Sequence, residues 1–387
     1  MNLPKILFLV EGYTDIRFIT GLSEISSLTM VTPQPAYRES GLKERIEASG
    51  ARLTVIELPG GRLRFQMSSF LYLLRHAPEF DALLCQEVLR GSLNGTLVGT
   101  WKRIPSITYL CIAPVEYFRC RRERGQIGLC KSAVGEATIR FLMRVNGFLA
   151  TRCVALGPYL AGIATKYCSH TVPGLYYGVD TQYYRPVEEE EKRRVRSRLH
   201  LPLEAFLVLF SSRVSHEKDP ETVVRAVARC RAQGLNAVLV NLGGGYEDFL
   251  RLAKAEAGPD AGNWVVARPA VHPMKELAQY YQAADCLAQA SLAEGLGLSP
   301  LEAMSCGIPA VCTAVGGLAT NLKGYAHLTP RRDPEAMAKE LLWISQNREA
   351  ARSQALAGRQ FVVREWDRQR AFAELATVLE TVRRSAK

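Results

Sequence analysis

The chain has 387 residues, 48% of them hydrophobic, enough for two or three ordinary domains, and a formal net charge of +11. No stretch approaches the run of about eighteen apolar residues that spans a bilayer, and the apolar run at residues 6–10 is too short for the core of a secretion signal and stops at Glu11. The ten cysteines include no C-x-x-C pair and the six histidines do not cluster with them, which argues against a disulfide framework or a zinc site and for buried, reduced thiols in a cytoplasmic protein.

The charge is uneven. Residues 1–186 carry 22 Lys and Arg against 14 Asp and Glu, or +8, and the remainder carries 27 against 24, or +3. A basic first half suits an anionic partner, whether nucleic acid, an acidic lipid surface or a phosphorylated acceptor. A nucleic-acid module is the weakest of these, because no aromatic-interleaved basic motif accompanies the arginines.

In chain order, residues 5–10 read as a buried parallel strand, 11–15 as a turn, and 15–24 as a helix. Strands at 28–32, 53–57 and 82–85 alternate with helices at 42–49 and 65–75, the pattern of a mostly parallel sheet covered on both faces. Ligands of such sheets sit at the carboxyl ends of strands, which makes Gly12 a candidate for close approach to a phosphate. Residues 86–94 read as a loop and 107–112 as the next strand. The following segment ends in a cluster of arginines, Arg119, Arg121, Arg122 and Arg124, which reads first as a solvated charged loop and second as a site for an anionic acceptor or lipid headgroup. Residues 137–150 form an amphipathic helix with Ile139, Leu142, Met143 and Phe148 apolar, a face for core packing or for a membrane surface.

After a strand at 154–156 the alternation lapses over residues 172–186, and a charged helix at 188–198 follows. A second alternating series begins with the strand 206–210. Asp219 as N-cap and Pro220 at the first helical position start a helix to about residue 231. Strands at 237–242 and 265–268 come next, and the loop 268–273 includes Arg268 as a candidate contact to a nucleotide base. In residues 290–317, Gly295 and Gly297 free the backbone. Ser299, Pro300 and Glu302 have the spacing of an N-cap, a first-turn proline and a capping-box carboxylate. The open N-H groups and the positive helix end would face whatever the loop holds, and a diphosphate suits that place.

The run E-G-L-G-L-S-P-L-E-A-M-S-C-G-I-P-A-V with the V-G-G after it closely resembles the sugar-nucleotide motif of retaining glycosyltransferases of family 4, which have the GT-B fold. The resemblance implies an α/β chain of two Rossmann-like, doubly wound domains facing across a cleft. The first would span 1–180, joined by a returning helix at about 370–387, and the second 181–369. Glu294 would touch the donor sugar, Glu302 would hold the ribose hydroxyls, and the amides of Gly295, Leu296, Gly297, Leu298 and Ser299 would bind phosphate. The earlier S-x-R-x-x-x-E-K-x-P resembles the second signature of the family, in which Arg213 and Lys218 bind the diphosphate. Residues 172–186 are similar to its interdomain segment.

Three departures stand out. Glu11-Gly12 stands where the family often has a Gly-Gly. The acceptor-side histidine common in the family is missing, and the nearest polar candidates are Glu116, Tyr117 and Arg119. Thr320 replaces a glutamate common after the second Gly-Gly. The implied activity is transfer of a sugar from a UDP- or GDP-sugar to a glycan, lipid-linked or small-molecule acceptor. It needs neither a cofactor nor a metal, since cations and helix ends neutralise the leaving diphosphate. The expected location is the cytoplasm, with peripheral contact at the inner membrane face through the arginines and helix 137–150. Sugar-nucleotide epimerisation on the same fold is the alternative chemistry.

Overall fold

Two parallel sheets organise the chain. The computed structural model describes residues 3–12, 14–272 and 274–385. Tyr13 in the expected first turn, Pro273 in the expected base-facing loop and residues 386–387 of the expected last helix lie outside the described residues. One unit comprises Met1–Phe118, Gly128–Tyr177 and Gln369–Lys387, the other Arg119–Ile127 and Gly178–Arg368.

The first sheet holds β1 (Lys5–Leu9), β2 (Ser27–Pro33), β3 (Leu53–Leu58), β4 (Ala82–Cys85), β5 (Ser106–Leu110), β6 (Arg152–Leu156) and β7 (Thr171–Gly174), in the order β3-β2-β1-β4-β5-β6-β7. The second holds β8 (Phe206–Phe210), β9 (Ala237–Leu242), β10 (Val265–Arg268), β11 (Cys286–Gln289), β12 (Ala310–Thr313) and β13 (His327–Thr329), in the order β10-β9-β8-β11-β12-β13. All paired strands are parallel. Helices cover both faces of such sheets, so central strands read as near-continuous apolar runs: Phe206 to Phe210, and Ala237 to Leu242 with Asn241 as its one polar residue, are buried throughout. Chain direction reverses between β1 and β4 in one sheet and between β8 and β11 in the other. The loops after those strands splay apart and leave a crevice at each reversal.

The elements differ from expectation in several places, among them the helix expected at 137–150, which begins earlier and spans Leu129–Leu149. The loop expected at 86–94 gives way at Arg90 to the helix Arg90–Lys102. Apart from Val98, its buried side is made of small or polar residues, among them Ser92, Thr96 and Asn94, so no apolar stripe announces it. The arginine stretch is no loop either, since the helix Pro114–Glu123 runs through Arg119, Arg121 and Arg122. Strand β11, only four residues long, escaped the periodicity although it lies at the centre of its sheet. Burial pushes the thiols of Cys85, Cys111, Cys153 and Cys230 up to about 12, so they stay protonated and inert. No described helix is long and apolar enough to cross a membrane.

Candidate active site

In the second unit, the loops after β8 and β11 meet at the reversal and are stitched together. Ser299 Oγ donates to the Ser211 carbonyl at 2.9 Å and the Leu292 amide to the Glu217 carbonyl at 2.8 Å, while Asn241 Nδ2 on β9 holds the β8 loop from its other side through the Ser212 carbonyl at 3.0 Å. This stitching brings Lys218, the last residue of the 3-10 turn His216–Lys218, against Glu294. Lys218 Nζ donates to Glu294 Oε2 at 2.6 Å, with side chains only 16% and 12% exposed. The same oxygen accepts Gln289 Nε2 at 2.8 Å and Ser291 Oγ at 3.1 Å. Three donors thus fix one oxygen, and Oε1 is left as an acceptor for a hydroxyl brought from outside.

The helix after this loop starts earlier than the capping pattern suggests. It spans Leu298–Ser305 with Gly297 as its N-cap, so Ser299 is not the cap and the capping box with Glu302 does not form. Ser299 turns to Ser211 instead, because that carbonyl needs a partner once the loops are joined. Gly297 takes φ +88°, a left-handed conformation that an L side chain resists. Gly317 is demanded by crowding: a Cβ there would lie 2.1 Å from the Gly295 carbonyl oxygen, and its amide donates to the Glu294 carbonyl at 2.8 Å. The amides of Leu298 and Ser299 lie in the first helical turn, whose N-H groups have no partner earlier in the helix, and this turn carries the positive end of the helix. Glu302 is 4% exposed and its Oε2 accepts the Tyr281 hydroxyl at 2.6 Å. Burial, with the Glu302 charge adding to it, raises the Tyr281 phenol well above its ordinary value, so it stays a donor.

The remaining candidates of this unit spread outward. Arg213 lies at the rim, 66% exposed and 2.8 Å from Glu217 Oε1. Burial alone would raise the Glu217 carboxyl, but bonds from its own backbone, Ser215 and Arg213 hold it below the usual range. Arg268 ends β10, two strands from the reversal and therefore about 10 Å away, and gives Nη2 to the Leu199 carbonyl at 3.0 Å. The Thr320 hydroxyl turns back to the Gly316 carbonyl. Sequence reasoning missed Gln289, Ser291 and Tyr281; a buried Gln closing an apolar strand was the signal for the first. A cavity of about 210 Å³ in this unit, lined by Phe206, Asp285 and Pro309, opens beside the amino ends of β8, β11 and β12, the end of the sheet opposite Glu294.

The first unit has its own crevice at the β1/β4 reversal, a cavity of about 460 Å³ that includes Glu11, Gly12, Arg62, Glu87 and Arg90. A Cβ at Gly12 would meet no other atom of the chain. Glu11 accepts Gln66 Nε2 at 3.1 Å and Arg90 Nε at 3.1 Å. Burial first, and the Glu11 charge after it, raises the Glu87 carboxyl, which accepts the Gly91 amide at 2.5 Å. Neither Glu87 nor Arg90 was singled out from the sequence. Glu116 accepts the Tyr159 hydroxyl, and Tyr117 lies half-buried beside it on the same helix. Arg119 is exposed near the end of that helix. The expectation of a solvated charged loop fails at Arg124, whose guanidinium donates to Asp219 Oδ1 at 2.8 Å and Glu221 Oε1 at 3.0 Å within the second unit. Asp219 holds the N-cap position of the helix Pro220–Ala232 at φ +45° but makes no side-chain cap, its carboxylate being taken by Arg124 and by the Thr222 hydroxyl.

Two doubly wound sheets, each with its ligand-type crevice, define a GT-B glycosyltransferase fold. Structures that match over the whole chain share it: HepE from Anabaena in complex with UDP-glucose (TM-score 0.76, 17% identity, 98% of this chain and 100% of that one), and sucrose-phosphate synthase from Thermosynechococcus elongatus (TM-score 0.77, 17% identity, 98% and 99%). Residues 191–361, less than half of the chain, match the family model of glycosyl transferases group 1, and the motifs that carry the resemblance lie within this span. D-inositol 3-phosphate glycosyltransferase 1 of Catenulispora acidiphila is 37% identical over 163 residues, 40% of this chain and 37% of that protein. D-inositol 3-phosphate glycosyltransferase of an Arthrobacter strain is 34% identical over 151 residues, 38% and 34%. The chain thus matches little more than a third of the length of these curated relatives.

Proposed function

We propose that the protein is a retaining glycosyltransferase of family 4 that moves a sugar from a nucleotide diphosphate to an acceptor in glycan, polysaccharide or glycolipid synthesis. The observation that carries this is Glu294 held by three donors through one oxygen, with Lys218 among them, at the open end of the helix Leu298–Ser305. Oε1 of Glu294 accepts a sugar hydroxyl. Lys218, Arg213 and the first-turn amides receive the diphosphate, and Glu302, oriented by Tyr281, takes the ribose hydroxyls. As the glycosidic C–O bond to the phosphate breaks, negative charge grows on the leaving oxygen. A fixed ammonium and helix end stabilise that charge more in the transition state than in the bound donor. The leaving phosphate takes the acceptor's proton, so the reaction needs no acceptor-side histidine and no metal.

A uridine diphosphate sugar is the first donor to try, since HepE binds UDP-glucose. On the acceptor side, Glu11, Glu87 and Arg90 at the β1/β4 crevice suit a polyhydroxylated molecule better than Glu116, whose carboxylate Tyr159 occupies. Matches to the curated relatives span 40% and 38% of the chain, so their acceptor is not carried over. Their names favour transfer over epimerisation. The enzyme would work in the cytoplasm, at the inner face of the membrane.

Incubating the protein with UDP- and GDP-sugars, with and without excess chelator, tests the reading. Release of nucleoside diphosphate that persists in chelator, with the anomeric configuration kept in the product, is the expected result. Strict dependence on a divalent ion, or an epimerised nucleotide sugar as the product, would reject it.

A further inference from the structure

The outer helical layer of the first unit is apolar and basic at once. Helices Arg62–His76, Arg90–Lys102 and Leu129–Leu149 connect β3 to β4, β4 to β5 and β5 to β6. In this strand order all three crossovers run in one direction, and right-handed connections therefore place them on the same side of the sheet. The middle helix packs against both others. Of the sixteen large hydrophobic side chains exposed among the described residues, nine lie on these three helices, so the exposure is gathered and not scattered. On the first helix Leu63, Met67 and Leu71 repeat at four-residue spacing, one stripe of an α-helix. Trp101 stands 69% exposed on the second, and Phe141 and Phe148, seven residues apart, on the third; Phe148 is 87% exposed.

The same helices contain three, two and three basic residues against a single acid, a net +7 and most of the +8 of residues 1–186. That acid, Glu136, is buried and paired with Arg140 at 3.0 Å. Arg90 is paired with Glu11 outside these helices, yet a second copy of the chain would still set one basic face against another. A nucleic acid would answer the charge but leave the aliphatic stripe of Leu63, Met67 and Leu71 in water. An anionic bilayer answers both, since apolar side chains enter the acyl boundary while Lys and Arg stay at the level of the phosphates. Trp101 followed by Lys102 and Arg103 has the composition of an interfacial anchor.

We infer that this three-helix face docks the protein on an anionic lipid surface. The face keeps the helix expected at 137–150 and adds two more, while Arg124 of the arginine run 119–124 is spent on Asp219 and Glu221. It stands independently of the transferase reading.

The test is sedimentation of the full chain with phosphatidylcholine vesicles, with and without phosphatidylglycerol. The parent should sediment with the anionic vesicles, stay in solution with phosphatidylcholine alone, and dissociate as salt rises. Replacing Trp101, Phe141 and Phe148 together by Ser should weaken partitioning about tenfold or more, and Arg64→Glu with Arg75→Glu and Arg144→Glu should remove the lipid selectivity. All six side chains are exposed, and an unchanged circular-dichroism spectrum checks that each variant folds. If the serine variant fails that check, the glutamate variant and the salt series decide. A parent that ignores anionic vesicles, or a folded serine variant that sediments like the parent, overturns the inference. So does self-association or RNA binding through these residues without vesicle binding.

Discussion

Lys218 and Glu294 stand 76 residues apart in the chain and 2.6 Å apart in space. The reversal of the sheet between β8 and β11 makes the contact, and the loop stitching of Ser299 and Leu292 holds it. Each group is compensated by the other, so neither buried charge stands unpaired before a ligand arrives.

Lys218→Ala should act on the transition state. A cation that meets growing negative charge is needed more as the phosphate bond breaks than when the donor binds, so kcat should fall by about 10² to 10³ while donor affinity changes far less. Steady-state kinetics together with calorimetric titration of the nucleoside diphosphate separates the two. Normal turnover in the variant would remove Lys218 from the mechanism.

The two glutamates should part company in binding. Glu302→Ala should weaken the free nucleoside diphosphate and the intact donor alike, by roughly ten- to a hundredfold if a charged hydrogen bond is lost. Glu294→Ala should leave nucleoside diphosphate affinity near that of the parent and abolish most transfer. Calorimetry with uridine and guanosine diphosphates on both variants reads the difference directly; equal losses in the two would contradict the separate roles.

Tyr281→Phe removes one hydroxyl from a buried pair and leaves the Glu302 carboxylate short of a donor. The expected cost is about 1–3 kcal/mol of stability, seen as a lower melting temperature, together with weaker nucleotide binding from a carboxylate no longer held in place. A variant with unchanged melting behaviour would show that the 2.6 Å contact contributes nothing.

Asp285 gives an acid-side prediction. It lies 2.6 Å from Lys192 and 2.7 Å from Arg196 and accepts the Leu207 amide at 2.7 Å. Burial would raise its carboxyl, but the Lys192 and Arg196 charges and these bonds hold it below the usual value. A folded pKa below the unfolded value of about 3.9 contributes stability that is present above pH 4 and is lost as pH falls through the folded pKa. Asp285→Asn should lower stability at neutral pH by about 3 kcal/mol and flatten the decline below pH 4. Urea unfolding between pH 7 and pH 3 checks both; parallel curves for parent and variant would refute the linkage.

What the sequence determined by itself is local. Buried apolar runs such as Phe206 to Phe210 and Ala237 to Val240 mark central parallel strands because both faces must be apolar, and the E-G-L-G-L-S-P-L-E run marks a glycine turn into a helix. The helix start itself was misplaced by two residues, since Ser299-Pro300 satisfies a capping pattern in any short window and only the Ser211 carbonyl, 88 residues away, decides otherwise. The helix Arg90–Lys102 was invisible for a related reason: its buried side, Val98 apart, is polar and small, and its partners lie on other elements. Tertiary structure alone decided which oxygen of Glu294 is held, that Tyr281 orients Glu302, and that Arg124 reaches Asp219. Those contacts depend on strand order, and strand order follows from the packing of whole layers, which no window of neighbouring residues contains.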